Sequence, residues 1–127
     1  MQAFLIVALG AGIGGALRHG VNVGCARYCG IAFPWGTLAV NVIGSFAMGL
    51  IAGWLAFKAQ AAWSQPLRLF LTTGILGGFT TFSAFSLETA NMLLRGQHVQ
   101  AAAYAVSSVA GSVLMLFAGL LLTRAMA

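Results

Sequence analysis

The segment GGFTTFSAFS, residues 77–86, gathers the residue types with which a membrane chain can hold a small ion. Gly77 and Gly78 precede Thr80, Thr81 and Ser83, which alternate with Phe79, Phe82 and Phe85. Gly-Gly followed by β-branched Thr-Thr is a poor helix interior, so a helical span is predicted to break here. Unwound backbone at membrane depth persists only where protein buries it or it lines a cavity. Transporters use the carbonyls and amides freed in such breaks to hold ions, and released carbonyls suit a small cation. Phe82 and Phe85 share a face if the helix resumes, and their electropositive ring edges would draw a small anion weakly. Glu88, the only acid in the chain, follows about one turn later, at a vestibule or beside an arginine.

Two further polar sets recur every four residues, so each shares one helix face. Thr37, Asn41 and Ser45 form the first, and Tyr104, Ser108 and Ser112 the second. The Asn41 amide offers two donors, and hydroxyls can turn their hydrogens toward an anion. Either stripe alone reads as interhelical hydrogen bonding, worth ~0.6 kcal/mol per bond. Together, in a chain with almost no other polar face, they read as a path. The residues supply no nucleophile–base pair and no carboxylate pair, so an enzyme is not expected. Cys25 and Cys29, with His19 nearby, lack the second Cys/His pair that would complete four metal ligands. They read as ordinary membrane-interface cysteines.

The elements that must position these residues follow from composition. Of 127 residues, 61% are hydrophobic and 6% charged, and the mean hydropathy is +0.98. A soluble domain carries roughly a quarter charged residues, so this chain belongs in a bilayer. Its length fits about four spans of ~20 residues in one transmembrane domain, residues 1–127. The spans are predicted at 2–26, 35–57, 67–95 and 99–124, giving an all-α fold whose third helix is broken near its middle. Pro34 suits a first helical turn, and a polar segment, residues 60–66, closes the second loop. Gly10/Gly14, Gly20/Gly24 and Gly49/Gly53 have the small-xxx-small spacing that lets helices approach closely in lipid. No basic residue precedes Arg18, so the first apolar stretch is expected to be a mature helix rather than a signal peptide.

The net charge of +5 comes from six Lys/Arg against Glu88. Nucleic-acid binding needs clustered cations, whereas these stand singly near span ends. With four spans, Lys58, Arg68 and Arg124 fall on one side, and Arg18, Arg27 and Arg95 on the other. Such balance gives no orienting bias, so the chain is expected to insert both ways and to pair as an antiparallel homodimer.

The whole length resembles the small bacterial fluoride channels known as CrcB or Fluc proteins. The resemblance rests on GIGGALR closing on Arg18, GTLAVNVIGS around Asn41, GGFTTFSAFS with Glu88, and the Tyr104/Ser108/Ser112 span. It implies a multi-pass protein of the bacterial inner membrane, an antiparallel dual-topology dimer that exports fluoride passively through two pores. It implies that Asn41, Phe82 and Phe85 line the fluoride path, beside Tyr104, Ser108 and Ser112; Thr37 and Ser83 are assigned to the same path. Gly77 and Thr80 would give backbone carbonyls from both subunits to one structural Na⁺ on the dimer axis. Arg18 and Glu88 would stand at the vestibule. Ala84 departs from the family pattern, where a second Thr is usual, so one hydroxyl beside Phe85 is lost.

Two rival classes are weaker. A small dual-topology multidrug exporter needs a buried acid in its first span, and span one has neither Asp nor Glu. A non-transporting assembly subunit would explain the glycine pairs but leave the polar stripes and the break without purpose. The charge balance makes a direct prediction: reporters fused to the C-terminus will register both orientations in the same cells, and a single uniform orientation would refute dual insertion.

Overall fold

The computed structural model describes residues 1–56 and 64–126. The predicted end of the second span at residue 57, Lys58, and residues 60–63 of the second loop lie outside the described residues. Four helical stretches are long and apolar enough to cross a membrane: Gln2–Cys29, Trp35–Ala56, Ser64–Leu94 and His98–Met126. The first is helix α1 (Gln2–Cys29), the second α2 (Trp35–Ala56), and the last α6 (His98–Met126). The third is composite. It starts as α3 (Ser64–Arg68), widens into a π-helix over Leu69–Leu76, returns as α4 (Gly77–Phe79), breaks, and resumes as α5 (Phe82–Leu94).

Local sequence sets the boundaries. α1 stops at Gly30, whose φ of 84° is a conformation that L side chains rarely adopt. Gly96, with φ 78°, turns the chain between α5 and α6 in the same way. In the π-wound stretch the ladder lengthens, and the Gly77 N–H reaches back to the carbonyls of both Gly74 and Thr72. Widened turns of this kind are concentrated at functional sites.

Lipid gives apolar side chains no reason to leave it, so close backbone contact has to hold these helices together. α1 packs along the π segment and α4, while α2 packs along α6. A methyl group on Gly10 would lie 2.7 Å from the Phe70 carbonyl oxygen and 2.8 Å from Gly74 Cα. One on Gly14 would overlap the Ile75 carbonyl oxygen and lie 2.8 Å from the Phe79 nitrogen. From the other side, a methyl on Gly78 would lie 2.9 Å from Ala11 Cα. Gly10 and Gly74 thus face each other, while Gly14 fits against the Ile75 and Phe79 backbone and Gly78 against that of Ala11. A second seam sets Gly49 against Leu116 and Gly119, and Gly53 against the Thr123 side chain.

Gly20 and Gly24 have the same spacing, but a methyl on either would meet no atom of another element within 4 Å among the described residues. The spacing identifies a close-packing motif without identifying which turns have a neighbour. Replacing Gly14 by Ala should lower thermal stability in detergent by about 1–3 kcal/mol, because backbone atoms cannot move aside as a flexible side chain can. Gly111→Ala, whose methyl would meet only Val42 Cγ2 at 3.4 Å, should unfold at the native temperature or slightly above it.

Candidate ion pathway

Two threonines end one helix and begin the next. The Thr80 N–H and hydroxyl both donate to the Leu76 carbonyl, at 3.0 and 2.9 Å, and close α4. The backbone then extends through Thr80 (φ −83°, ψ 160°) and Thr81 (φ −152°, ψ 122°). Thr81 caps α5, its Oγ1 accepting the Ala84 N–H at 3.2 Å, as Thr hydroxyls at helix starts commonly do. Asn41 of α2 holds the extended pair open. Its Nδ2 donates to the Thr81 carbonyl at 3.0 Å, and the Thr81 N–H donates to its Oδ1 at 2.8 Å.

This arrangement frees backbone oxygen. In an uninterrupted helix the N–H of Thr81 would serve the Gly77 carbonyl, and that of Ala84 the Thr80 carbonyl. Both donors are instead bound by side-chain oxygens, those of Asn41 and Thr81. Gly44 of α2 makes room for the turn, since a methyl there would run into the Thr80 side chain.

A cavity of about 330 Å³ opens beside the break, lined by Asn41, Ser45, Phe82, Phe85, Ser108 and Ser112 among apolar neighbours such as Met48, Val109 and Leu116. No charged side chain lines it among the described residues. Phe82 is 76% exposed in the protomer, so its ring is not held there by core packing. Its centroid lies 5.6 Å from that of Phe85, with the planes tilted by 46°. Ser108 is 5% exposed, and its buried Oγ has no hydrogen-bond partner among the described residues. Ser86, Thr89 and Thr123, by contrast, turn their hydroxyls back onto their own helices. An unmet buried hydroxyl costs about 1–3 kcal/mol, so the Ser108 hydroxyl is left with an unused donor at the cavity wall.

The predicted stripes divide in space. Asn41 and Ser45 reach this cavity, whereas Thr37 is buried beside Glu88 along a separate hollow of about 420 Å³. Ser108 and Ser112 reach the cavity, whereas Tyr104 is fully enclosed behind them. The Tyr104 hydroxyl donates to Glu88 Oε1 at 3.2 Å, and Arg95 lines the same hollow as Glu88. Tyr104 also joins an aromatic ladder: Phe85 at 5.1 Å, Phe33 edge-on at 5.4 Å, and Trp35 beyond Phe33 at 4.6 Å. Arg18 and Ser83 border a third hollow of about 440 Å³, together with His19, Asn22 and Thr81. Thr81 therefore touches both the central cavity and this hollow. Gly77 is exposed and Thr80 half-buried. Cys25 and Cys29 are free, and no group of three potential metal-ligating side chains exists among the described residues.

Sequence reasoning missed Asn22, which lines both outer hollows. The rule that singled out Asn41, a polar amide within an apolar span, applies to it equally. It also understated Thr81, whose backbone and hydroxyl organise the break.

Residues 5–120 match the family described as CrcB-like protein, Camphor Resistance (CrcB). The chain is 57% identical over 124 residues to a protein of Hyphomonas neptunium named fluoride-specific ion channel FluC, covering 98% of this chain and 97% of that one. It is 49% identical over 126 residues to the Mesorhizobium japonicum protein of the same name, covering 99% of each.

The Asn41–Thr81 pairing is open to direct test. Asn41→Leu keeps much of the side-chain bulk but strands a donor and an acceptor of the Thr81 backbone, which should cost about 2 kcal/mol or more. Thermal unfolding in detergent measures the loss, and hydrogen exchange at residues 80–84 should quicken; native exchange in the variant would show that the break is held by something else.

Proposed function

The chain belongs to the CrcB family, and from that membership, joined to a cavity whose donors are all uncharged, we infer that it is a fluoride channel of the bacterial inner membrane. It crosses the membrane four times and lets cytoplasmic fluoride leave down its electrochemical gradient, which relieves fluoride toxicity. The observation that carries the reading at the level of the site is the buried, unpartnered Ser108 hydroxyl in a cavity shared with Asn41, Phe82 and Phe85.

Fluoride is small and strongly hydrated, so a pore must replace its water with hydrogen-bond donors. Of the two Asn41 Nδ2 hydrogens one goes to Thr81, which leaves the other for the ion. Ser45, Ser108 and Ser112 add hydroxyls that rotate, and the Phe82 and Phe85 ring edges add weak positive surface. With no cationic side chain on the cavity wall, nothing holds the ion too tightly to leave, which conduction requires. Tyr104 braces the Phe85 ring from behind, Thr37 and Ser83 continue the polar surface, and Arg18 and Glu88 stand at its outer ends.

The working unit is an antiparallel homodimer. Arg68 and Arg124 fall at one membrane face and Arg27 and Arg95 at the other, a balance that favours neither orientation. Gly77 and Thr80, whose carbonyls have lost their helical donors to side chains, fit a hard cation such as Na⁺, bound by oxygens from both subunits. Bound there, Na⁺ would supply a fixed positive field that favours anions and draws the two breaks together.

Purified protein in fluoride-loaded liposomes should release fluoride far faster than chloride; equal rates would overturn the function. Phe82→Ile should fold normally yet slow fluoride release, and normal flux would remove the ring-edge contribution. Ser108→Ala should slow fluoride release several-fold while leaving thermal stability unchanged or raised by about 1 kcal/mol, because it deletes a hydroxyl that the fold leaves unmet.

A further inference from the structure

Asn22 lies inside α1, seven residues or ~10 Å before the helix ends at Cys29. It is half-buried, and its amide makes no hydrogen bond to any other described residue. A polar side chain left unpaired within a membrane span should face a water-filled or ion-conducting space. Asn22 faces two. It lines the hollow that holds Arg18, Thr81 and Ser83, and also the hollow that holds Thr37, Glu88 and Arg95. Thr81 also lines the central cavity, so the spaces adjoin: the central cavity and the Arg18 hollow share Thr81, and the two outer hollows share Asn22, Ala84 and Leu87, of which Asn22 alone carries a polar side chain.

The orientation of the amide decides what it can bind. A methyl on Gly36 would collide with Asn22 Oδ1 and lie 3.0 Å from Asn22 Cα. Gly36 therefore provides the flat surface on which the oxygen end of the amide rests. Nδ2, with its two N–H donors, is the end of the amide turned away from that contact. Donors without a formal charge suit an anion that must be held briefly and released. Arg18, one turn earlier on the same face, raises the local concentration of anions, and a neutral amide one turn on can pass them along without trapping them.

We propose that Asn22 is an anion-binding residue of the conduction path, its N–H donors taking the fluoride as it crosses between the Arg18–Ser83 hollow and the Glu88 hollow. The proposal rests on the fluoride-channel reading. Within it, Asn22 is a second amide station, separate from Asn41, outside the central cavity.

The test compares Asn22→Ala, Asn22→Ser and Asn22→Asp with the native protein in liposome fluoride efflux, each normalised to folded protein by size-exclusion chromatography and thermal unfolding. An ion contact ranks the variants by donors and charge. Ser should retain most of the flux, Ala should lose about fivefold, and Asp, with the native shape but no N–H and a negative charge, should conduct least. A packing role against Gly36 would rank them by size instead, with Asp closest to native and Ala furthest. That order, or native flux in Asn22→Ala, overturns the proposal. Native protein that releases fluoride no faster than protein-free liposomes would overturn the channel reading itself, and is seen before any variant is compared.

Discussion

The two hydrogen bonds between the Asn41 side chain and the Thr81 backbone take the place, at membrane depth, of the water that an interrupted helix would otherwise need. The consequences spread in both directions along the third span. Thr81, held extended, presents its hydroxyl to cap α5, so that the helix restarts at Phe82 and sets Phe82 and Phe85 on one face. On the other side Thr80 ties itself to Leu76, and the carbonyls of Gly77 and Thr80 lose their usual donors. One amide thus arranges, within a few residues, a backbone whose carbonyls have lost their helical donors and the helix face that carries Phe82 and Phe85. It does so without placing a formal charge in the membrane interior.

That division works only if the helices carrying Asn41 and the break are held in register. The glycine seams provide this. α1 meets the π segment and α4 backbone to backbone through Gly10, Gly14, Gly74 and Gly78, and α2 meets α6 through Gly49, Gly53 and Gly119. Such contacts leave little slack, because apart from the Thr123 side chain that faces Gly53 the opposing atoms are main chain. The seams fix the frame. The polar residues are then free to be left incompletely bonded, as Ser108 is.

Much of this could be read from the sequence because a bilayer restricts what a chain can be. Paucity of charge fixed the solvent, span lengths gave the helices, and Gly-Gly-Phe-Thr-Thr located the break to within a few residues. The membership of the central cavity was legible in Asn41, Phe82, Phe85, Ser108 and Ser112, since helical spacing places residues on faces. Spacing says nothing about depth, which is why Thr37 and Tyr104 share stripes with cavity residues yet sit against Glu88 instead. It says nothing about neighbours either, so Gly20 and Gly24 looked equivalent to Gly10 and Gly14. The π winding and the pairing of Asn41 with a backbone forty residues away are long-range matters that no local pattern records.

The aromatic ladder reaches further than the cavity it supports. From Phe85 it runs through the enclosed Tyr104 to Phe33 and Trp35 at the start of α2, and Trp35 is 45% exposed. Tryptophans at span ends settle at headgroup level and follow it when the bilayer thins or thickens. The ring at the cavity wall is therefore joined, by ring contacts alone, to an exposed tryptophan at the start of a span.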